Sequence, residues 1–561
     1  MREEVFGEVL GAGRPVADPG GAPKVAFKTL GCRLNQAESE KALEGLGARG
    51  FDLAHVGEEP DVVVINTCTV TRESTASSRR LIRRTAEAHP GATVVVTGCY
   101  AVSNPEEVEA IPGVDLVVHN DDKDRIAELV AGVPAVRRLP LMVRPAPTER
   151  LRTRVAIKAQ TGCDEWCTFC IIPRTRGPLR SYPSDGLVAD VRRQVDRGVR
   201  EVVLTGVHLG KYSEDEGERD GLARLVERLT AIDGLLRLRI SSVLPVQVTP
   251  ALVERVRDDP KVCRHLHVPL QAGDDRVLER MHRPYRIAQF LERVERAGAE
   301  IPGLGLSTDI IVGFPGETAE QFGATLRVTR RVGFSKLHVF RYSQRPGTPA
   351  ADMPDQLPEP EKKTRARELI TLGAELRRRF HEAHVGERLD VLVESAGDGI
   401  AEGTSDNYIK VRFPGGPELV DRLVACEAYE PTTRAWKARS RGTGRLTYDA
   451  NCPFCRIAKG ESSAEVVLDR EDLLAFQDVN PQAPTHVLVI PREHIPSLEA
   501  LTEQHGELLR NLVRAINDVA SQQGVAGGFR VVTNIGPAAG QSVRHLHLHV
   551  LGGRPMRWPP G

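Results

Sequence analysis

The side chains best equipped for chemistry in this sequence are ten cysteines and an alternating run of histidines. Eight of the cysteines fall into three ordered groups, and only Cys263 and Cys426 stand alone. In the first group Cys32, Cys68 and Cys99 each lie at the end of a short apolar run, VAFKTLGC (25–32), DVVVINTC (61–68) and TVVVTGCY (93–100). Runs that are apolar on both faces suit strands buried inside a parallel sheet. Ligands of open parallel sheets bind beyond the carboxyl ends of the strands, so the three thiols should meet in one crevice. Three soft thiolates with an open fourth position suit an iron–sulfur cluster whose free iron faces a sulfur ligand. Buried structural cysteines are the competing reading. The second group, Cys163-Asp-Glu-Trp-Cys167-Thr-Phe169-Cys170, has C-x3-C-x2-C spacing. It can hold a 4Fe–4S cluster with one iron uncoordinated, with a zinc site as the alternative. The third, Cys452-Pro-Phe-Cys455, is a C-x2-C pair that with two distant histidines would suit tetrahedral zinc. In His545-Leu-His547-Leu-His549 the period of two puts three imidazoles on one face of a strand. They are a catalytic or a metal-binding constellation.

These groups need elements to position them. From about residue 24 strand-like runs alternate with helical stretches such as 72–89, a βαβ pattern that implies an open α/β sheet. Residues 135–150, rich in Pro and Arg, read as a linker or edge strand. Six further runs follow: 154–160, 200–208, 237–243, 265–270, 305–314 and 336–343. Six strands in this length argue for a partial (β/α) barrel, whose active site would lie at its carboxyl face. Residues 361–380 form a charged helix with Leu369, Leu372, Leu376 and Phe380 at helical spacing. Residues 385–430 read as a small β-unit, and 437–445 (KARSRGTGR) as a basic linker. The predicted fold is therefore α/β multidomain, with an open parallel sheet, a partial barrel, a small β-barrel and a C-terminal α+β domain. The predicted boundaries are 23–145, 150–375, 380–440 and 448–561.

Composition narrows the function. There are 76 basic and 76 acidic side chains, so the chain is not a globally basic nucleic-acid binder, although local patches can act over a Debye length. Arg79, Arg80, Arg83 and Arg84 on one helix, and the tract from Arg434 to Arg445, are such patches or merely solvated faces. No run reaches the roughly 18–20 apolar residues of a membrane span, and no secretory h-region opens the chain. A cytoplasmic enzyme with cysteine-held metals is expected, rather than a disulfide scaffold.

The C-x3-C-x2-C group resembles the signature of the radical S-adenosylmethionine (SAM) superfamily. Thr205-Gly206-Val207-His208 is similar to the segment that approaches the SAM amino group, and TDIIVGFPGET (308–318), with Gly313, to the strand near the adenine. The resemblance also implies a cofactor contact for Phe169. HLHVPLQAGDDRVLERMHRPY (265–285) and YSQRPGTPA (342–350) resemble further barrel motifs, and residues 24–440 as a whole resemble the methylthiotransferases. TLGCRLNQAESE (29–40) and GCDEWCTFCIIPRTRGPLRS (162–181) are most like the subfamily acting on N6-threonylcarbamoyladenosine at tRNA position 37. Subfamilies acting on isopentenyladenosine in tRNA or on a ribosomal-protein aspartate are the alternatives. The resemblance implies two 4Fe–4S clusters, SAM, the tRNA anticodon loop as partner, an electron donor such as flavodoxin or ferredoxin, and a TRAM-type RNA-binding barrel. The second cluster would reduce SAM to a 5′-deoxyadenosyl radical that activates adenosine C2, and the first would carry the sulfur. Two departures stand out: Leu244 where the family has an acidic residue, and Ala272 where it has serine.

Residues 448–561 resemble the histidine-triad (HIT) nucleotide hydrolases, down to the GGRPMRWPPG tail. That likeness implies His547 as nucleophile, with His549 and Ser542 on the phosphate and leaving group. It implies Asp478 on the ribose, Asn534 and Gln541 near the phosphate, and His486 orienting His547 from behind. It also implies structural zinc on Cys452, Cys455, His494 and His545, a small nucleotide phosphoramidate as substrate, and a homodimer formed through this domain. A chain in which only this hydrolase is active is the remaining alternative.

Overall fold

The computed structural model describes residues 5–9, 22–55, 57–136, 153–397, 399–431, 436–440, 452–470, 472–501, 505–536 and 539–556. The chain divides into two compact units, Met1–Val424 with Ala428–Ala438, and Ala425–Glu427 with Arg439–Gly561.

The first unit opens with the α/β sheet. Its strands run in the order Val5–Val9, Lys24–Leu30, Val62–Thr67, Thr93–Gly98 and Leu116–Val118, with Asp52–Leu53 paired beside Lys24–Leu30. All pair in parallel except Val5–Val9, which is antiparallel and lies ahead of the boundary expected at residue 23. Every position of Val62–Thr67 and Thr93–Gly98 is buried, as strands covered on both faces must be. The register pairs Thr29 with Asn66 and Thr67 with Gly98. The carboxyl ends of the three cysteine-bearing strands are therefore level. Most of the expected 135–150 linker lies outside the described residues.

Six parallel strands follow in chain order. Arg154–Lys158, Glu201–Thr205 and Arg237–Ile240 form one sheet, and His265–His267, Gly305–Val312 and Lys336–Arg341 another. Parallel bridges Leu238↔Val262 and Ser242↔His267 join them into one arc, the expected partial barrel. Helix Glu359–Glu382 packs on its last strand and buries Leu369, Leu372 and Leu376, while Phe380 stays partly exposed.

Strands Arg388–Gly397, Ile400–Ser405, Lys410–Pro414, Leu423–Pro431 and Trp436–Ser440 close a small barrel. The first residues of the expected basic linker thus belong to a strand, and 441–445 lie outside the described residues. The turn after Ile400–Ser405 enters the half-barrel. Arg237 donates to the Thr404 carbonyl at 2.7 Å, and Arg239 to those of Ser405 and Asp406 at 3.1 and 2.9 Å. Tyr408, at φ 73°, lies 4.0 Å from the Arg239 guanidinium, a cation–π contact.

The second unit is α+β. Its antiparallel sheet runs Val466–Asp469, Leu473–Gln477, Thr485–Pro491, Leu548–Gly552, Phe529–Val532, with helices Pro453–Ala458 and Gly506–Gln522. No described helix is long and apolar enough to cross a membrane.

Candidate functional sites

Cys32 caps the helix Arg33–Gly47, Cys68 follows Val62–Thr67, and Cys99 begins the short helix after Thr93–Gly98. Gly31 makes the convergence possible. It sits at φ 108°, and a Cβ there would strike Cys68 Cβ at 2.8 Å and Sγ at 2.9 Å. Ser78 clamps the second cysteine, accepting from Cys68 N at 3.1 Å and donating to its carbonyl at 2.8 Å. Burial, reinforced by the charges of Cys99 and Cys32, pushes the Cys68 thiol up to about 12.

Beneath this triad lies a buried charged network that sequence reading missed. Glu38 pairs with Lys123 at 2.6 Å, Arg176 at 2.8 Å and Lys158 at 3.5 Å. Burial alone would raise the Glu38 carboxyl, but the three cations overcome it and hold the group well below the carboxylate range. Arg176 also donates to Asn35 Oδ1 at 2.6 Å, tying the barrel's cysteine segment to the first domain. Its guanidinium feels the Cys99 and Cys32 thiols as well as Glu38. Lys158 is also paired with Asp124, at 3.1 Å, so three cations face two carboxylates and leave one positive charge over beside the thiol triad. The only sign in the sequence is the basic run after Cys170; burial by a distant helix is not local information.

The second triad lies at the carboxyl end of Arg154–Lys158. The Arg283 guanidinium donates to Cys167 Sγ at 3.1 Å, and Cys163 Sγ lies 3.8 Å from His208 Nδ1. Burial pushes Cys163 up to about 11 and Cys170 up to about 12, so these thiols become ligands only when a metal displaces their protons to solvent. Neither triad holds all three Sγ atoms within 4.8 Å of one another among the described residues. Cys163 does come within 4.8 Å of ligand atoms of Asp164 and His208. The donor sets, three thiols each with cations nearby, suit iron–sulfur clusters.

Val70 and Thr71, just past Cys68, line one cavity of about 160 Å³ together with Phe169 and Cys170 of the second loop. The cysteine loops therefore share a chamber, walled on the barrel side by Gln271, Asp309 and Arg345. Thr205 is buried at a strand end. Gly206 and Gly313 were expected to admit a ligand. Instead a Cβ at Gly206 would meet Gln160 Oε1 at 2.9 Å, and one at Gly313, φ 72°, would meet Lys362 at 2.5 Å. Both glycines accommodate the protein's own packing. Leu244, at the departure from the family, is buried and donates its N–H to Gln247 Oε1 at 3.0 Å. Of the basic helix face, Arg79 is engaged by Tyr100 and Glu107, while Arg80, Arg83 and Arg84 are exposed. Of the 434–445 tract, residues 434–435 and 441–445 lie outside the described residues.

In the second unit Cys452, Cys455, His494 and His545 come together. His545 Nδ1 lies 3.4 Å from Cys452 Sγ and 3.5 Å from Cys455 Sγ, and His494 Nδ1 lies 3.2 Å from Cys455 Sγ. His545 Nε2 donates to the Pro491 carbonyl at 2.9 Å, which fixes the tautomer and leaves Nδ1 free to ligate. The four donors fit a tetrahedral zinc ion.

The histidine run does not lie wholly in a strand. The ladder begins at Leu548, so His545 and His547 precede it and only His549 is paired within it. His547 is buried, and its Nδ1 donates to the His545 carbonyl at 2.7 Å, since a carbonyl can only accept. Its Nε2 keeps the lone pair. Phe454 packs edge-on to the ring at 5.3 Å. His486 was expected to orient His547, but the structure places it against His549, Nε2 to Nδ1 at 2.8 Å. The ladder is the cause, because Thr485–Pro491 pairs directly with the His549 strand. His486 Nδ1 accepts from Gln482 N at 3.0 Å, so its Nε2 carries the proton and faces both His549 and Asp478, the latter at 3.3 Å. His549 is left with an Nε2–H that has no partner. Burial, then the neighbouring His547 and His486, holds His549 down to about 4. Gln541, expected near the phosphate, donates to the Pro496 and Val543 carbonyls at 2.7 and 3.0 Å and accepts from Gly536 N at 2.9 Å. It braces the loop here. Ser542 is exposed and Asn534 half-buried beside it.

Three family models match the chain. They are "Uncharacterized protein family UPF0004" over residues 24–119, the radical SAM superfamily over 157–328, and "Scavenger mRNA decapping enzyme C-term binding" over 451–557. The threonylcarbamoyladenosine tRNA methylthiotransferase MtaB of Bacillus subtilis (strain 168) is 38% identical over 418 residues, covering 71% of this chain and 92% of that protein. The tRNA-2-methylthio-N(6)-dimethylallyladenosine synthase of Cereibacter sphaeroides (strain ATCC 17025 / ATH 2.4.3) is 38% identical over 409 residues, covering 70% and 93%. Among solved structures, a HIT family hydrolase from Legionella pneumophila is 46% identical, covering 20% of this chain and all of that one, with TM-score 0.20. The fold and thiol sites of the first unit define a radical SAM enzyme. Within that class, the chain belongs to the tRNA methylthiotransferase family.

Proposed function

We propose that the first unit converts N6-threonylcarbamoyladenosine at tRNA position 37 to its 2-methylthio derivative, using SAM and 4Fe–4S clusters on the two cysteine triads. The observation that carries this reading is the chamber flanked by both cysteine loops. When bound, the clusters and SAM supply the radical and sulfur chemistry. The protein's part is to hold six thiolates, balance their charge through Arg176, Lys123 and Arg283, and enclose the substrate base. Single-stranded loops are where a protein can splay out and read an RNA base, so the anticodon loop is the fitting partner, with the small barrel as its TRAM-like holder. A flavodoxin- or ferredoxin-type donor would supply electrons, in the cytoplasm. Mass spectrometry of tRNA nucleosides from a deletion strain tests the reading. It predicts loss of 2-methylthio-threonylcarbamoyladenosine, and an undiminished level refutes it.

We infer that the second unit is a HIT phosphoramidate hydrolase. His547 Nε2 attacks the nucleotide phosphorus, the P–N bond breaks, and water then cleaves the nucleotidyl-histidine. The amine departs with a proton taken from water, His549 Nε2–H, held by His486, hydrogen-bonds to a phosphate oxygen, and Asp478 takes the ribose. Zinc on Cys452, Cys455, His494 and His545 braces this unit, which also serves as the dimerisation element.

A further inference from the structure

The chamber between the cysteine loops contains polar groups that the proposed chemistry leaves unused. Arg345 is only 7% exposed. Its Nη1 is tied to the first domain, donating to Thr69 Oγ1 and Thr75 Oγ1 at 3.2 Å each. Its Nε and Nη2 are buried and have no partner. The nearby Glu73 carboxylate is engaged by Arg341 at 3.1 Å. Across the same cavity Gln271, 9% exposed and held at φ 64°, buries an Oε1 that also lacks a partner. Two buried N–H donors left without acceptors cost several kcal/mol, which a ligand accepting from both would recover. The chemistry of that ligand follows from which nitrogens are open. Nε and Nη2 share one edge of the planar guanidinium, and that edge matches two oxygens of a carboxylate or phosphate.

We propose that Arg345 is an oxyanion receptor for the target nucleotide inside the chamber, with Gln271 Oε1 accepting a hydrogen bond from the same nucleotide. This rests on the reading that tRNA is the substrate. Two groups of that nucleotide offer the chemistry, its phosphate and the carboxylate of its threonylcarbamoyl substituent. A flipped nucleotide would carry either into the cavity.

The test measures binding of three anticodon stem-loop RNAs to anaerobically reconstituted full-length protein. The RNAs carry threonylcarbamoyladenosine, isopentenyladenosine or unmodified adenosine at position 37. The proteins are wild type, Arg345→Gln and Arg345→Lys; the lysine keeps the charge but loses the fork. Iron content and melting temperature confirm that the variants are folded and loaded. The expected result is a roughly 10–100-fold loss of affinity in both variants, the scale of a charge-assisted bidentate contact. A loss confined to the threonylcarbamoyl RNA assigns the carboxylate, and an equal loss on all three assigns the phosphate. Unchanged binding of every RNA overturns the proposal, as does a loss of SAM affinity with RNA binding intact. Failure of the tRNA reading itself would show separately, as an unaltered nucleoside profile in the deletion strain.

Discussion

The two units gather metal ligands in opposite ways. In the second, two thiols and two imidazoles place one ligand atom each within 4.8 Å of one another, with three of the pairs at 3.2–3.5 Å. In the first, six thiols form two open triads, one drawn from three strand ends and one from a single loop, beside a shared chamber. The compact site needs only the ion to complete it. The open triads need a preassembled inorganic core and surrounding cations, and the buried arginines supply the charge.

The strongest way to break this contrast is to remove one thiol from each kind of site. Cys68→Ala and Cys163→Ala should each lower iron from about eight to about four per chain and abolish 2-methylthio product. Phosphoramidate hydrolysis should continue, and coupled loss of both activities in a folded protein would end the idea of independent sites. His547→Ala should reduce hydrolysis roughly 10³-fold or more, since it removes the attacking atom. Its iron content and SAM cleavage should match wild type. Cys455→Ser should remove one zinc per chain and several kcal/mol of stability from the second unit, seen as a lower melting transition with unchanged iron; zinc retained at full occupancy would contradict the assigned ligands.

Glu38→Gln sharpens the other side. It leaves Lys123 and Arg176 buried without their anion, while Lys158 keeps Asp124, at a cost of about 3–5 kcal/mol, readable by denaturant unfolding of the first unit. The smallest effect is on pH. Burial holds His338 down to about 4, against an ordinary 6.5. The unfolded chain therefore binds more protons between these values, and stability from this group falls as pH drops through that window. Above pH 6.5 its contribution is constant. A melting temperature that rises on acidification from 6.5 towards 4 would contradict it.

Much of this was legible in the sequence where chemistry and local pattern coincide. Cys32, Cys68 and Cys99 could be brought together because parallel strands align their carboxyl ends. The Cys163 loop needed only its own spacing. His486 could not be paired correctly, because its partner depends on the register between Thr485–Pro491 and Leu548–Gly552, a tertiary fact. The packing of Gly206 on Gln160 and of Gly313 on Lys362 was equally out of reach, because those partners are remote in sequence. Arg176 and Arg345 lie inside motifs visible in the sequence, but their burial depends on contacts with the first domain, through Asn35 and Glu38 for one and Thr69 and Thr75 for the other. The strand Val5–Val9 carries too short a run to be seen without its partner.

The turn at Thr404–Tyr408 bears on how the protein can be dissected. Its carbonyls are the acceptors for Arg237 and Arg239 at the base of the half-barrel. Excising the small barrel to probe RNA affinity would therefore uncork a charged interior and admit solvent at the base of the half-barrel. Point substitutions on its outer strands are the cleaner instrument, because they leave the stopper seated.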